Sequence, residues 1–296
     1  MSSCFREPYY LAGRLQNPYY IINPSVAHTH TIIMLHDVAS NGTMFGRDLM
    51  RLSVASTGRT LDRLYPSLRI CMWFDMARLI DPSFRQDLQR EGLRNSARQI
   101  ASLIDLEKRR VPVGNIVIGG LGQGCAMAIV VLLGLGHRLG GLIGISGYLP
   151  FWFELEMVTA QDSSDEFEDD DDSFYEEEQD DDALSRDQGN DATPLEPCVK
   201  AQLFVRRLLD VGIPESPSRD QTSVDTPIFL AHDDNRGMVS NRHGQHAALA
   251  LEMAEYDVEF KTYWQPAGQP VPDELDDIVM FVRRNLGLTP RNYNHT

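Results

Sequence analysis

The stretch from Ile116 to Leu132, IVIGGLGQGCAMAIVVL, constrains the fold more than any other part of this chain. An apolar run, Asn115 to Gly120, reads as a buried strand, and Gln123 to Leu135 reads as an apolar helix. Between them the glycines at 120, 122 and 124 suit a tight strand-to-helix turn whose backbone segments approach closely. Turns of this kind usually present one reactive side chain at the middle position. Here that position is Gly122, which has none. Two nucleotide readings of the turn fail. The glycine spacing is not G-x-G-x-x-G and no acidic residue lies about 20 positions on, and no Lys-Ser/Thr follows to make a phosphate loop.

The remaining sequence alternates in the same way. Strand candidates are Thr29 to His36, Ser67 to Phe74, the segment LGGLIGISG, Thr226 to His232, and Asp257 to Trp264. Helical periodicity runs from Gly42 to about Ala55, and within Asp81 to Arg109, where Leu88, Leu93, Ala97, Ile100, Leu103 and Ile104 fall near helical spacing. It returns at His246 to Glu255 and Asp273 to Leu286. Strands separated by helices predict an α/β fold with a mainly parallel central sheet and helices on both faces. In such sheets sites gather at the carboxyl ends of strands. Those ends are His36-Asp37-Val38, Trp73-Phe74-Asp75, Gly120 to Gly124, His232 to Arg236, and the segment after Trp264.

The formal charge of −16 is local. Seventeen Asp/Glu and one Arg lie between Gln161 and Glu196, and the rest of the chain carries 26 basic and 26 acidic residues. A balanced body gives no footing for nucleic acid, which needs clustered Lys/Arg. The acidic run is too charged and too poor in aliphatics to pack, so it is expected to be a disordered insertion, with a protein partner as its functional reading. No apolar run reaches the length of a membrane span, and MSSCFREPYY lacks the basic start and apolar core of a secretory signal. Cys4, Cys71, Cys125 and Cys198 have neither metal nor disulfide-framework spacing, which fits free thiols in the cytoplasm. His243 and His246 have helical i, i+3 spacing, but with no third ligand evident no metal and no cofactor is expected. The expected organisation is an N-terminal extension, 1–20, and a single domain, 21–296, interrupted at about 161–196.

The segments IIMLHDVASNGTMFG, WFD, EGLRNSARQI, RVPVGNIVIGGLGQGCAMA, GLIGISGYLPF and VPDELDDIVMFV together resemble the acyl-protein thioesterase and carboxylesterase branch of the α/β-hydrolases, in its fungal form. The resemblance implies a Ser-His-Asp triad, and the matching positions depart from it. The nucleophile position holds Gly122, the acid position Arg236, with Asp233 or Asp234 as stand-ins, and the histidine position Gly268. No histidine occurs between Ala247 and Asn294. Triad hydrolysis needs an oxygen nucleophile and a base, so a degenerate triad is expected to exclude it. Cys125, three residues past the turn and inside the helix, is expected to be an inert packed thiol.

The resemblance also implies an oxyanion hole made of the backbone N–H groups of Val38 and Gln123, the second reinforced by its helix dipole. Trp73, Phe74, Asp75 and Tyr148 would line the substrate site. Asp37 stands where the family usually has glycine, and Asp37 and His36 are speculative catalytic residues beside the hole. The expected function is a non-hydrolytic enzyme, a cyclase or isomerase, Diels–Alder reactions included, acting on a small apolar biosynthetic intermediate held at that hole. Two alternatives stand beside it. One is a catalytically silent protein that binds a ligand or partner, and the other is a residual carboxylesterase or thioesterase with an unconventional base.

Overall fold

The computed structural model describes residues 21–24, 26–37, 53–54, 59–60, 68–71, 86–160, 194–233, 240–264 and 272–288. Six strands form one parallel sheet: β1 (His30–Leu35), β4 (Leu68–Cys71), β5 (Ile116–Leu121), β6 (Gly141–Ile145), β7 (Ile228–Asp233) and β8 (Val258–Tyr263). Their order is β4-β1-β5-β6-β7-β8. The helices are α1 (Gln89–Glu107), α2 (Gln123–Gly134), α3 (Trp152–Ala160), α4 (Pro197–Leu209), α5 (Asn241–Met253) and α6 (Pro272–Leu286).

Period-2 alternation sorts the strand residues into two layers. Ile33, Leu35, Ile116, Ile118, Leu142, Ile228 and Leu230 join one apolar cluster with α1, α2, α4 and α5. Ile32, Met34, Val117, Ile143, Phe229 and Ala231 face the other way and meet Leu275, Val279, Phe281 and Val282 of α6. Helix α2 is buried on every side from Gln123 to Leu133, which is why its sequence is apolar all round. It packs tightly because Gly124 has no side chain. A Cβ there would overlap the Leu35 carbonyl at the end of β1.

Two sequence expectations are corrected, and one helix is added to them. Leu88 belongs to a 3-10 turn before α1 and is 64% exposed, because the amphipathic stripe begins only at Leu93. Ser53–Val54 (β2) pairs antiparallel with Arg59–Thr60 (β3), so the helical pattern expected to reach Ala55 ends as strand. The segment 152–160 forms helix α3, which its sequence did not announce, because its apolar residues lack a helical stripe. The N-terminal extension, the acidic run, Val38, Trp73, Phe74, Asp75, Asp234, Arg236 and Gly268 lie outside the described residues. Among the described residues no helix is long and apolar enough to cross a membrane.

The chain departs from β1 toward β4 and then crosses back to β5 on the other side, so strand order reverses between β1 and β5. Crevices in open α/β sheets form at such reversals, outside the carboxyl ends of the strands. Asp37 leaves one of those two ends and Gly122 leaves the other, with Leu35 opposite Gly120 in register.

Candidate functional site

Gly122 caps α2 with φ 55° and ψ −113°, a backbone conformation in which most side chains are strained. Its N–H donates to the Ile145 carbonyl at 2.8 Å, and its carbonyl accepts from Ala126 N–H at 3.2 Å, so the turn is held from β6 and from within its own helix. The space above it is filled. A Cβ on Gly122 would overlap Oδ1, Cγ and Oδ2 of Asp37. The Asp37 carboxylate therefore occupies the place that a nucleophile's side chain would take, and Oδ1 accepts the Gln123 backbone N–H at 3.1 Å.

His36 and Asp37 meet through the backbone of Asp37. His36 is 4% exposed, and its Nδ1–H donates to the Asp37 carbonyl at 2.8 Å. That bond fixes the backbone from which the Asp37 carboxylate reaches the turn. The expected oxyanion hole is not open at Gln123, because its N–H already serves an internal carboxylate.

Tyr148 lies beneath the turn, 2% exposed and packed on Ala126. Burial, with the Asp37 carboxylate and Cys125 adding to it, pushes its phenol well above the ordinary range, so it stays a neutral donor. Cys125 is buried, and burial pushes its thiol up to about 12, with a backbone hydrogen bond from Ile145 opposing and Asp37 reinforcing the shift. Its Sγ fits only because Gly144 and Gly147 lack side chains. A thiol held protonated this way is not a nucleophile.

At the carboxyl end of β7, His232 is 1% exposed and its Nδ1–H donates to the Asp233 carbonyl at 3.1 Å, repeating the arrangement at His36 and Asp37. Glu274, in the first turn of α6, faces Asp233. Burial and that neighbouring carboxylate raise the Glu274 carboxyl to about 7. No sequence signal pointed to this pair, since 41 positions separate its members.

Among the described residues no third ligand-type side chain joins His243 and His246. The His246 ring stacks on Trp152 at 4.2 Å, and His243 meets His246 edge-on. Among the described residues one ligand-type cluster exists, Glu196, Cys198 and Glu255. The Arg219 guanidinium sits within it, donating to Glu196 at 3.1 Å, to Glu255, and to Cys198 Sγ at 3.7 Å. A cation is thus already supplied by the chain.

Residues 16–163 match the phospholipase/carboxylesterase family of α/β-hydrolases. The chain belongs to this family. The matched region includes Asp37, Gly122 and Tyr148 and stops before β7 and β8. Acyl-protein thioesterase 1 of Schizosaccharomyces pombe is 34% identical over 142 residues, which are 44% of this chain and 61% of that protein. The acyl-protein thioesterase 1 of Yarrowia lipolytica is likewise spanned over only 61% of its length. A longer match, 22% identical over 281 residues, covers 90% of this chain and 93% of acyl-protein thioesterase 1 of Gibberella zeae. Among solved structures, Zea mays acyl-protein thioesterase 2 superposes with a TM-score of 0.57 at 20% identity, covering 91% of this chain and 99% of that one. That likeness establishes the α/β-hydrolase fold of this phospholipase/carboxylesterase family member.

Proposed function

We propose that this chain is a residual carboxylesterase or thioesterase in which the carboxylate of Asp37 replaces a serine as the reactive group. The observation that carries this reading is the Asp37 carboxylate lying on the Gln123 N–H, in the space a side chain on Gly122 would need. The names of the relatives, acyl-protein thioesterases, and of the matching phospholipase/carboxylesterase family support the substrate class: an acyl thioester or a carboxylic ester.

With Oδ1 held by Gln123, Oδ2 is the oxygen left to act as a general base. It takes a proton from water as the water oxygen bonds to the acyl carbon. The tetrahedral intermediate then expels the alkoxide or thiolate, which takes that proton back from Asp37. The products are a carboxylic acid and an alcohol or thiol, and the carboxylate is restored. Neutralising Asp37 in the first step weakens its hold on the Gln123 N–H, whose direction the helix fixes, and leaves that donor available to the forming oxyanion. Turnover by this route is slow, because the donor is engaged in the resting state. Free, buried Cys125 and Cys198 support a reducing, cytoplasmic setting.

The same engagement removes the support for a cyclase, which needs an unoccupied hole to polarise a carbonyl. It favours a second reading, binding of an acyl compound without turnover. Both are tested with the full chain on p-nitrophenyl esters of short and medium acyl chains and on an acyl thioester. Slow turnover is expected, with Asp37→Asn reducing it by about 10²-fold or more. No serine should be labelled by a fluorophosphonate. Absence of turnover together with saturable binding of a non-hydrolysable acyl analogue decides for the second reading. A labelled serine overturns both.

A further inference from the structure

Strand β8 ends the sheet, and among the described residues no strand pairs with its outer side. A parallel ladder alternates, so that one residue's N–H and C=O point to one neighbour and the next residue's point to the other. The Ile228 N–H donates to the Asp257 carbonyl at 2.9 Å, with Ile228 opposite Val258 in register. Glu259, Lys261 and Tyr263 therefore turn their backbone groups to β7. Val258, Phe260 and Thr262 turn theirs outward, away from the sheet. A row of outward donors and acceptors, on a strand rich in β-branched and aromatic residues, is a template for another strand.

The side chains decide which strand fits. Glu259 and Lys261 face α6, where Glu259 accepts from Arg284 at 2.5 Å and the Lys261 ammonium lies 3.0 Å from Asp277. Their side chains are still 32% and 36% exposed, so each has room for a second partner. A second β8 laid antiparallel about a two-fold axis at Phe260 sets Phe260 opposite Phe260, Val258 opposite Thr262, and Glu259 opposite Lys261. The outward residues then form the hydrogen-bonded pairs. Glu259 and Lys261 fall at the closer, non-hydrogen-bonded positions, where opposite charges attract. Moving the axis one residue either way sets Glu259 on Glu259 or Lys261 on Lys261, and like charges directly opposite repel. Met280 lies between Asp277 and Arg284 on the flank of α6 that reaches β8, and it is 54% exposed. The same axis brings that flank toward α6 of the second copy.

We propose that the chain forms a two-fold dimer through β8, joining two sheets edge to edge with Glu259 and Lys261 paired across the axis. The surface lies three strands from β5, so it is independent of the reaction assigned to Asp37.

The test is sedimentation velocity of the full chain over a concentration series, where a dimer that dissociates on dilution is expected. Glu259→Lys and Lys261→Glu each put like charges at both cross-strand pairs, and each is expected to raise the dissociation constant about tenfold or more. An equimolar mixture of the two variants has opposite charges at both pairs again and is expected to recover the dimer. That recovery also shows that both variants fold. Thr262→Pro removes an outward N–H while sparing the ladder to β7, and is expected to abolish the dimer with the far-UV circular dichroism unchanged. A chain that stays monomeric at every concentration overturns the proposal. So does a dimer that survives Thr262→Pro, or a mixture no tighter than its separate variants. Amide hydrogen exchange identifies the other possible occupant. Slow exchange at Phe260 and Thr262 in the dilute monomer would mean that the chain covers its own edge, which also overturns the dimer.

Discussion

Gly122 lies at φ 55°, and the Asp37 carboxylate fills the volume beside its Cα. Two costs therefore meet any side chain placed there: the left-handed backbone, and displacement of a carboxylate from its hydrogen bond. Gly122→Ser is expected to lower the free energy of unfolding by about 2 kcal/mol or more, measured by urea denaturation. The Gly122→Ser/Asp37→Ala double variant should lose less than the sum of the two single variants, because the second change removes the group the first collides with. Additive losses would mean that the two residues do not compete for the same space.

At the level of elements, the carboxyl ends of β1 and β7 are built alike, each with a buried histidine donating to the carbonyl of the aspartate that follows it. The two aspartates then diverge. Asp37 finds a backbone N–H, whereas Asp233 faces Glu274 of α6, whose carboxyl is raised to about 7 mainly by burial. Its folded-state affinity for the proton exceeds that of the unfolded chain, where the carboxyl sits near 4.5. Between these values the folded protein holds a proton that the unfolded chain has released. Stability is therefore lost as pH rises from about 4.5 to about 7, and the loss from this group is complete above that window. Chemical denaturation at a series of pH values should show that slope, and Glu274→Gln should flatten it. An unchanged slope in the variant would assign the dependence elsewhere.

Across the whole molecule, the described residues by themselves supply two apolar clusters that hold the sheet. Helix α3 ends at Ala160, and α4 restarts with Pro197 at its first position, a residue pre-set for helix initiation. Deleting Asp162 to Asp191 is therefore expected to shift the melting temperature by no more than a few degrees while removing most of the net charge. A calorimetric collapse of the transition would show instead that the run contributes to the core.

The parallel α/β class, the strand–glycine–helix turn, all six sheet strands at least in part, and helices α1, α2, α5 and α6 were legible in the sequence. Each leaves a trace in neighbouring residues: a period of two, a period near 3.6, or glycines where backbones touch. Helix α3 was not legible, since its residues carry no apolar stripe of their own. The identity of Asp37 as an odd acid near the turn could be read in advance, but its destination could not. Asp37 and Gln123 stand 86 positions apart, and only the pairing of β1 with β5 brings the carboxylate onto that N–H. The same holds for Asp233 and Glu274, which meet because α6 folds back onto β7. Backbone geometry is set by adjacent residues and is written locally. The partner of a charged side chain is set by which strands lie side by side, and that is decided only when the sheet closes.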